Sequence, residues 1–144
     1  MNAHHNIQEA VGAPARRVLI VDDDADFRLS LASLLRDDGH EVRCVHDGIG
    51  ALEQTAAWLP ELVLLDIYMP GATGFAVARE LRAGYPDTQM MLVMTSGRDL
   101  DEATLVEAGE AGFDRCVDKT NALPAVQDIL ARDLPRMSIE RRTS

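Results

Sequence analysis

Leu62-Val63-Leu64-Leu65-Asp66-Ile67-Tyr68-Met69-Pro70-Gly71 decides how the rest of the chain is read. Four apolar residues in a row match a strand covered on both faces, as in a parallel sheet. The run ends on a carboxylate, so Asp66 stands where a buried strand surfaces, at its C-terminal end. Met69-Pro70-Gly71 then turns the chain, because proline fixes φ and glycine relaxes it. Ligands of open α/β sheets bind outside the carboxyl ends of the strands. A single aspartate there often does no more than cap the next helix, so its meaning depends on the other strand ends.

Working outward, the arrangement repeats. Val18-Leu19-Ile20-Val21 is another all-apolar run, ending on Asp22-Asp23-Asp24. Asp24 is placed to cap a helix in which Phe27, Leu31, Leu34 and Leu35 share one face and which Gly39 ends. Glu41 to Val45 alternates as a short strand. A helix opened by Asp47-Gly48 runs to about Ala57 with Ile49 and Leu52 inward, and Pro60 closes it. Past Gly71, Phe75, Ala78 and Leu81 have helical spacing within Gly74 to Ala83, before Gly84 and Pro86. Met90 to Met94 is a fourth apolar strand and ends on Thr95-Ser96-Gly97. Asp99 and Glu102 make a capping-box-like start to a helix reaching about Ala108, with Gly109 and Gly112 at its exit. Phe113 to Asp118 is a fifth, weaker strand leading to Lys119. Asn121 is placed to cap a last helix, Ala122 to Arg132, with Val126, Ile129 and Leu130 inward and Pro124 tolerated in its first turn.

Five alternations of strand and helix predict right-handed βαβ crossovers and an α/β fold with a parallel sheet covered on both faces. The 144 residues suit one domain with a real core. We expect it over residues 16–133, with 1–15 a flexible N-terminal segment and 134–144 a flexible polar tail carrying Arg136, Arg141 and Arg142. Fourteen basic against 24 acidic residues leave a net charge of −10, which disfavours nucleic acid as a partner for the bulk of the chain. Cys44 and Cys116 fit no CxxC or zinc-ligand spacing, and two isolated cysteines in so acidic a chain suggest a cytoplasmic location. No apolar run reaches the roughly 18 residues of a membrane span, and Met1 to Arg17 lacks the apolar stretch of a signal peptide. His4-His5 is too short for a metal site and reads as part of the leader.

Four of the five strands deliver a reactive polar group to one edge: Asp22 and Asp23, Asp66, Thr95 and Lys119. Taken singly these have ordinary readings, since Asp22, Asp24 and Thr95 could each cap a helix and Lys119 could be a surface lysine. Together they carry chemistry. Three clustered carboxylates repel one another and persist when a cation compensates them. A hard, oxygen-seeking ion such as Mg²⁺ fits best. A lysine adds a permanent positive charge, and a threonine hydroxyl can donate to an anionic oxygen. Nucleophilic carboxylate, divalent metal, lysine and hydroxyl are what phosphoryl transfer onto an aspartate requires.

These motifs, with Leu64-Leu65-Asp66-Ile67-Tyr68-Met69-Pro70-Gly71 followed by Gly74, Val93-Met94-Thr95-Ser96-Gly97 and Val117-Asp118-Lys119, resemble the CheY-like receiver domain of bacterial two-component response regulators. The resemblance covers about Arg17 to Arg132. It implies a flavodoxin-like (βα)5 fold with strand order 2-1-3-4-5. It implies that Asp66 accepts a phosphoryl group from a sensor histidine kinase or a phosphotransfer protein. It further implies that Asp23 and Asp66 ligate Mg²⁺, that Asp22 holds metal-bound water, and that the Tyr68 backbone carbonyl is another ligand. Lys119 would bind the phosphoryl oxygens, and Thr95 would be the switch hydroxyl beside the small Ser96. The site would phosphorylate and dephosphorylate itself without being an enzyme toward other substrates. With no DNA-binding domain and no membrane segment expected, output would pass to a protein partner on the face of the fourth helix, fifth strand and fifth helix. Two positions depart from the family: Thr120 follows the lysine where proline is usual, and Cys116 stands where an aromatic ring usually reports the phosphorylated state.

A second reading belongs to another class. Asp22-Asp23-Asp24 also matches the start of haloacid-dehalogenase-like phosphatases, with Asp22 as nucleophile, Asp24 as acid/base, and Thr95 and Lys119 in their later motifs. It leaves Asp66 without a role and finds no acidic pair after Lys119.

Overall fold

The computed structural model describes residues 14–69, 71, 73–97 and 99–134. Five strands alternate with five helices: β1 (Arg17–Val21), α1 (Ala25–Asp37), β2 (Glu41–Val45), α2 (Gly48–Trp58), β3 (Leu62–Asp66), α3 (Gly74–Gly84), β4 (Met91–Ser96), α4 (Glu102–Ala111), β5 (Arg115–Asp118) and α5 (Ala122–Arg132), with a 3₁₀ turn at Lys119–Asn121 before the last helix. All strand pairs are parallel, in the order β2-β1-β3-β4-β5. The expected α/β class, strand number and order are all present.

Consecutive apolar residues on the inner strands serve two cores, because successive side chains leave opposite faces of a strand. Val18, Ile20, Leu62, Leu64 and Val93 pack with Leu31, Ala32 and Leu35 of α1 and Val126, Ile129 and Leu130 of α5. Leu19, Val21, Val63, Leu65, Leu92 and Met94 pack with Ala51 and Trp58 of α2, Val77, Ala78 and Leu81 of α3, and Ala108 and Ala111 of α4. Leu134, which the sequence reading placed in the tail, is fully buried and belongs to the first core. The rest of the expected leader and tail, residues 1–13 and 135–144, lies outside the described residues.

Several local expectations are corrected. Ile49 is 70% exposed, and α2 turns Ala51, Thr55 and Trp58 inward instead. These lie three or four residues apart and form the true apolar stripe; small residues let the helix lie close to the sheet. Leu34 likewise points outward while Ala32 is buried. Helix α4 is capped by Asp101, whose carboxylate accepts from the Thr104 N–H at 2.8 Å, not by Asp99. Asn121 makes no side-chain cap; the 3₁₀ turn intervenes, and Asp118 caps that turn.

Arg82 near the end of α3 fastens the far side of the sheet. Its guanidinium donates to the carbonyls of Gly112, Tyr85 and Met90 and pairs with Asp114, whose Oδ2 also accepts the Leu92 N–H at 2.9 Å. Gly112 ends α4 at φ 111°, and a Cβ there would lie 2.8 Å from Arg82 Cβ. Both the backbone angle and the clamp therefore demand glycine.

At the N-terminal end of the sheet, Arg16 and Glu61 form a buried ion pair at 3.1 Å. The adjacent Arg16 N–H donates to His40 Nδ1 at 3.1 Å, which requires an unprotonated Nδ1. Burial, with the Arg16 charge adding to it, pushes His40 below its ordinary value of 6.5 against the opposing pull of Asp38 and Glu61. A lowered folded-state value means that the unfolded chain binds the proton first, so this contribution is complete above about 6.5 and fades as pH falls through the folded-state value. Urea unfolding compared at about pH 7.5 and about pH 5 should show wild type losing more stability than His40→Asn. Equal losses would remove His40 from the acid sensitivity.

Gly74 begins α3 where the backbone of β3 passes closest: a Cβ would lie 2.5 Å from both Asp66 O and Ile67 Cα. Gly74→Ala should cost about 1–3 kcal/mol by overpacking. Gly84→Ala, exposed and with nothing within 4 Å of its Cβ position, should stabilise by about 0.5–1 kcal/mol. Urea midpoints measure both.

Candidate functional site

The C-terminal ends of β1, β3, β4 and β5 meet at one edge of the sheet. Registers pair Val21 with Leu65, Asp66 with Thr95, and Ser96 with Asp118. Asp22 therefore emerges beside Asp66, and Lys119 follows the strand on the far side of Thr95 and Ser96. Asp22, Asp66, Thr95 and Ser96 are buried, whereas Asp23 is exposed.

Lys119 Nζ lies 2.7 Å from Asp22 Oδ2 and 3.1 Å from Asp66 Oδ2. The contact to Asp66 is an aligned hydrogen bond; that to Asp22 is a charge contact, which leaves the buried Asp22 Oδ2 without an aligned donor. The other oxygens are held by backbone: Asp22 Oδ1 accepts from Asp24 N–H and Asp66 Oδ1 from Tyr68 N–H, each at 2.9 Å. Burial pushes the Asp22 carboxyl up, and repulsion from Asp66 adds to this, against the lowering contacts of Lys119 and Asp24. Burial pulls Lys119 down, but its contacts with Asp22 and Asp66 outweigh this and raise it, so the ammonium stays charged.

Asp22, Asp23 and Asp66 each present a carboxylate oxygen within 4.8 Å of one another. This all-oxygen set, with one buried oxygen lacking an aligned donor, fits a hard divalent cation such as Mg²⁺. Tyr68, expected to contribute its carbonyl, has a half-exposed side chain, and its N–H is the donor to Asp66.

Two contributors escaped the sequence reading. Phe27, assigned to the core face of α1, is half-buried and its ring centroid lies 5.0 Å from Lys119 Nζ, a cation–π distance. Arg28 donates from Nη1 to the Asp22 carbonyl at 2.7 Å. Helical side chains lean toward the N-terminus, so first-turn residues of a helix that starts at the site turn back upon it; that lean is the signal available in sequence.

The two departures also have local accounts. Asp118 Oδ1 accepts both the N–H and the hydroxyl of Thr120 at 2.9 Å, and a proline could not supply that N–H. The described peptide bonds are all trans, Lys119–Thr120 included. Cys116 is exposed on the edge strand, paired in register with Met94.

This fold and site define a receiver domain. The response regulator receiver domain family model matches residues 18–131, and the chain belongs to that family. The response regulator MprA of Mycobacterium tuberculosis is 38% identical over 116 residues, covering 81% of this chain and 48% of MprA. The chain spans about half the length of the curated relatives it matches. A CheY-like receiver domain protein from Methanospirillum hungatei shares the fold at a TM-score of 0.78 and 24% identity, over 88% of this chain and 98% of the other. The response regulator TrrA of Thermotoga maritima, solved in complex with Mg²⁺-BeF, aligns with a TM-score of 0.69 and 28% identity over 78% and 94% of the two chains. The phosphatase alternative is not favoured: Asp24, its acid/base, caps α1 through the Phe27 N–H, and the matching family and relatives are response regulators. No helix among the described residues is long and apolar enough to cross a membrane.

Calorimetric titration with Mg²⁺ should give binding that Asp23→Ala weakens by more than about tenfold; unchanged affinity would remove the metal from this pocket. Trp58 emission should not respond, because its carbonyl is held by Arg17 at the opposite end of β1 from Asp22.

Proposed function

We propose that this chain is the phosphoacceptor of a two-component phosphorelay, with Asp66 receiving the phosphoryl group of a phosphohistidine on a sensor histidine kinase or phosphotransfer protein. The observation that carries this reading is the single ammonium of Lys119 held against both Asp22 and Asp66 beside an exposed third carboxylate. An Asp66 oxygen attacks phosphorus in line, the P–N bond breaks, and its electron pair returns to the imidazole. Asp23, Asp66 and the Tyr68 carbonyl would hold Mg²⁺, with Asp22 holding its bound water, and the ion would supply positive charge to the phosphoryl oxygens. Lys119, loosened from Asp66, binds a phosphoryl oxygen and stabilises the charge that builds there. The Thr95 hydroxyl donates to another, with the small Ser96 leaving room. Small phosphodonors serve the same site, and water later hydrolyses the acyl phosphate; no external substrate is turned over.

Output passes to a protein partner through the α4–β5–α5 face. In support, Leu105 and Val106 on α4 are about half exposed, and Arg115 and Cys116 leave β5 open at its edge. Cys116 has no ring to swing, so the change is carried mainly by the Thr95 loop and α4. The acidic composition and the lack of a membrane-spanning helix among the described residues agree with action in the cytoplasm.

Incubation with acetyl phosphate and Mg²⁺ should add one phosphoryl group by mass spectrometry, and Asp66→Asn should abolish it. Lys119→Ala should keep Mg²⁺ binding while slowing labelling by about 10²–10³-fold, the usual effect of deleting one preorganised donor. Full labelling of Asp66→Asn together with loss in Asp22→Asn would return the phosphatase reading.

A further inference from the structure

Asp22 and Asp23 are adjacent in sequence but held very differently. Asp22 is gripped at every polar atom of its backbone: its N–H donates to Val45 O of β2 at 3.2 Å, and its carbonyl accepts from Arg28 Nη1 at 2.7 Å. Its Oδ1 accepts from the Asp24 N–H. Asp23 is exposed, and no described residue donates a hydrogen bond to its carboxylate. With no such partner, the direction from which that carboxylate sets out is fixed by its own backbone through the Cα–Cβ bond. The peptide group joining Asp22 to Asp23 is rigid and planar, so whatever holds the Asp22 carbonyl also sets the direction in which Asp23 leaves β1. Arg28, in the first turn of α1, is the side chain that does this.

We propose that Arg28 is a positioning residue for the metal pocket, aiming the Asp23 carboxylate at the space shared with Asp22 and Asp66 by clamping the peptide between the two acids. This rests on the metal-binding reading above. Position and charge make opposite demands here, which gives the proposal a sign. A guanidinium near the pocket opposes an incoming cation by simple Coulomb repulsion. If charge were its only effect, deleting Arg28 would tighten metal binding; if it positions Asp23, deletion weakens binding.

The test is calorimetric titration of the full chain with Mg²⁺ alone, well below the unfolding temperature. Arg28→Met keeps the apolar stem and removes both donor and charge. It should weaken Mg²⁺ binding about tenfold, the lower end of what loss of an outer partner of a metal ligand produces. Arg28→Lys, which restores a donor, should recover most of that loss. Equal or tighter binding by Arg28→Met, or a lysine variant as weak as the methionine one, overturns the proposal. Should Arg28→Met fail to fold, Arg28→Gln decides, because its amide is two bonds too short to reach the carbonyl; it should bind as weakly as predicted for methionine, and wild-type affinity would overturn the idea. If wild type shows no Mg²⁺ binding that depends on Asp23, the metal reading itself fails and this proposal with it. Intact binding that ignores Arg28 sinks the positioning role alone.

Discussion

One ammonium lodged between two buried carboxylates is the constraint on which the functional edge depends. Asp22 and Asp66 sit beside each other at the ends of adjacent strands, and burial pushes the Asp22 carboxyl upward, with repulsion from Asp66 adding to it. Lys119, which follows β5 on the other side of β4, opposes that push: its ammonium meets the Asp22 and Asp66 carboxylates, which reach toward it from the ends of β1 and β3. Arginine would be a poor replacement, because its planar fork prefers one carboxylate in a bidentate grip. The lysine's point charge can serve two carboxylates at once.

The opposite end of the sheet shows the contrast between a buried pair that holds and one that works. Arg16 Nη1 and Glu61 hold each other, and Glu61 also accepts from the Arg17 N–H, while Arg16 Nε is buried without a hydrogen-bond partner. Such a pair adds little net stability compared with apolar residues of like volume, yet removing one partner typically costs about 3–5 kcal/mol. It fixes where β1 and β3 begin. At the functional end the third carboxylate, Asp23, is left outside the network, so the charge imbalance there is unresolved within the protein and is available to a cation.

The two family departures are local exchanges rather than losses. Thr120 supplies an N–H that lets Asp118 close the turn after Lys119, and the two Thr120 bonds hold the Asp118 carboxyl below its usual range. The lysine is thus anchored from behind by a turn built from side chains. Cys116 leaves β5 without a large side chain at the register partner of Met94. Arg82 ties the end of α3 to the approaches of β4 and β5.

Much of this was written in the sequence because its physical basis is local. Short consecutive apolar runs bounded by turn signals, such as Leu62 to Leu65, match strands covered on both faces, and carboxylates that end such runs surface at the same edge of a parallel sheet. Asp24 and Asp47 cap their helices as their positions suggest, since a cap needs only an extended backbone and the next turn. Where two local solutions compete, the sequence is silent: Asp99 and Asp101 both fit the start of α4, and only the path of the chain chose Asp101. The inward face of α2 was misjudged because its alanine and threonine carry a weaker apolar signal than Ile49. The exposure of Asp23 beside buried Asp22, the reach of Lys119 across β4, and the grips of Arg28 and Phe27 on the site depend on strand order, on register and on the direction in which helical side chains lean. These are relations between elements far apart in the chain, so only the tertiary structure could decide them.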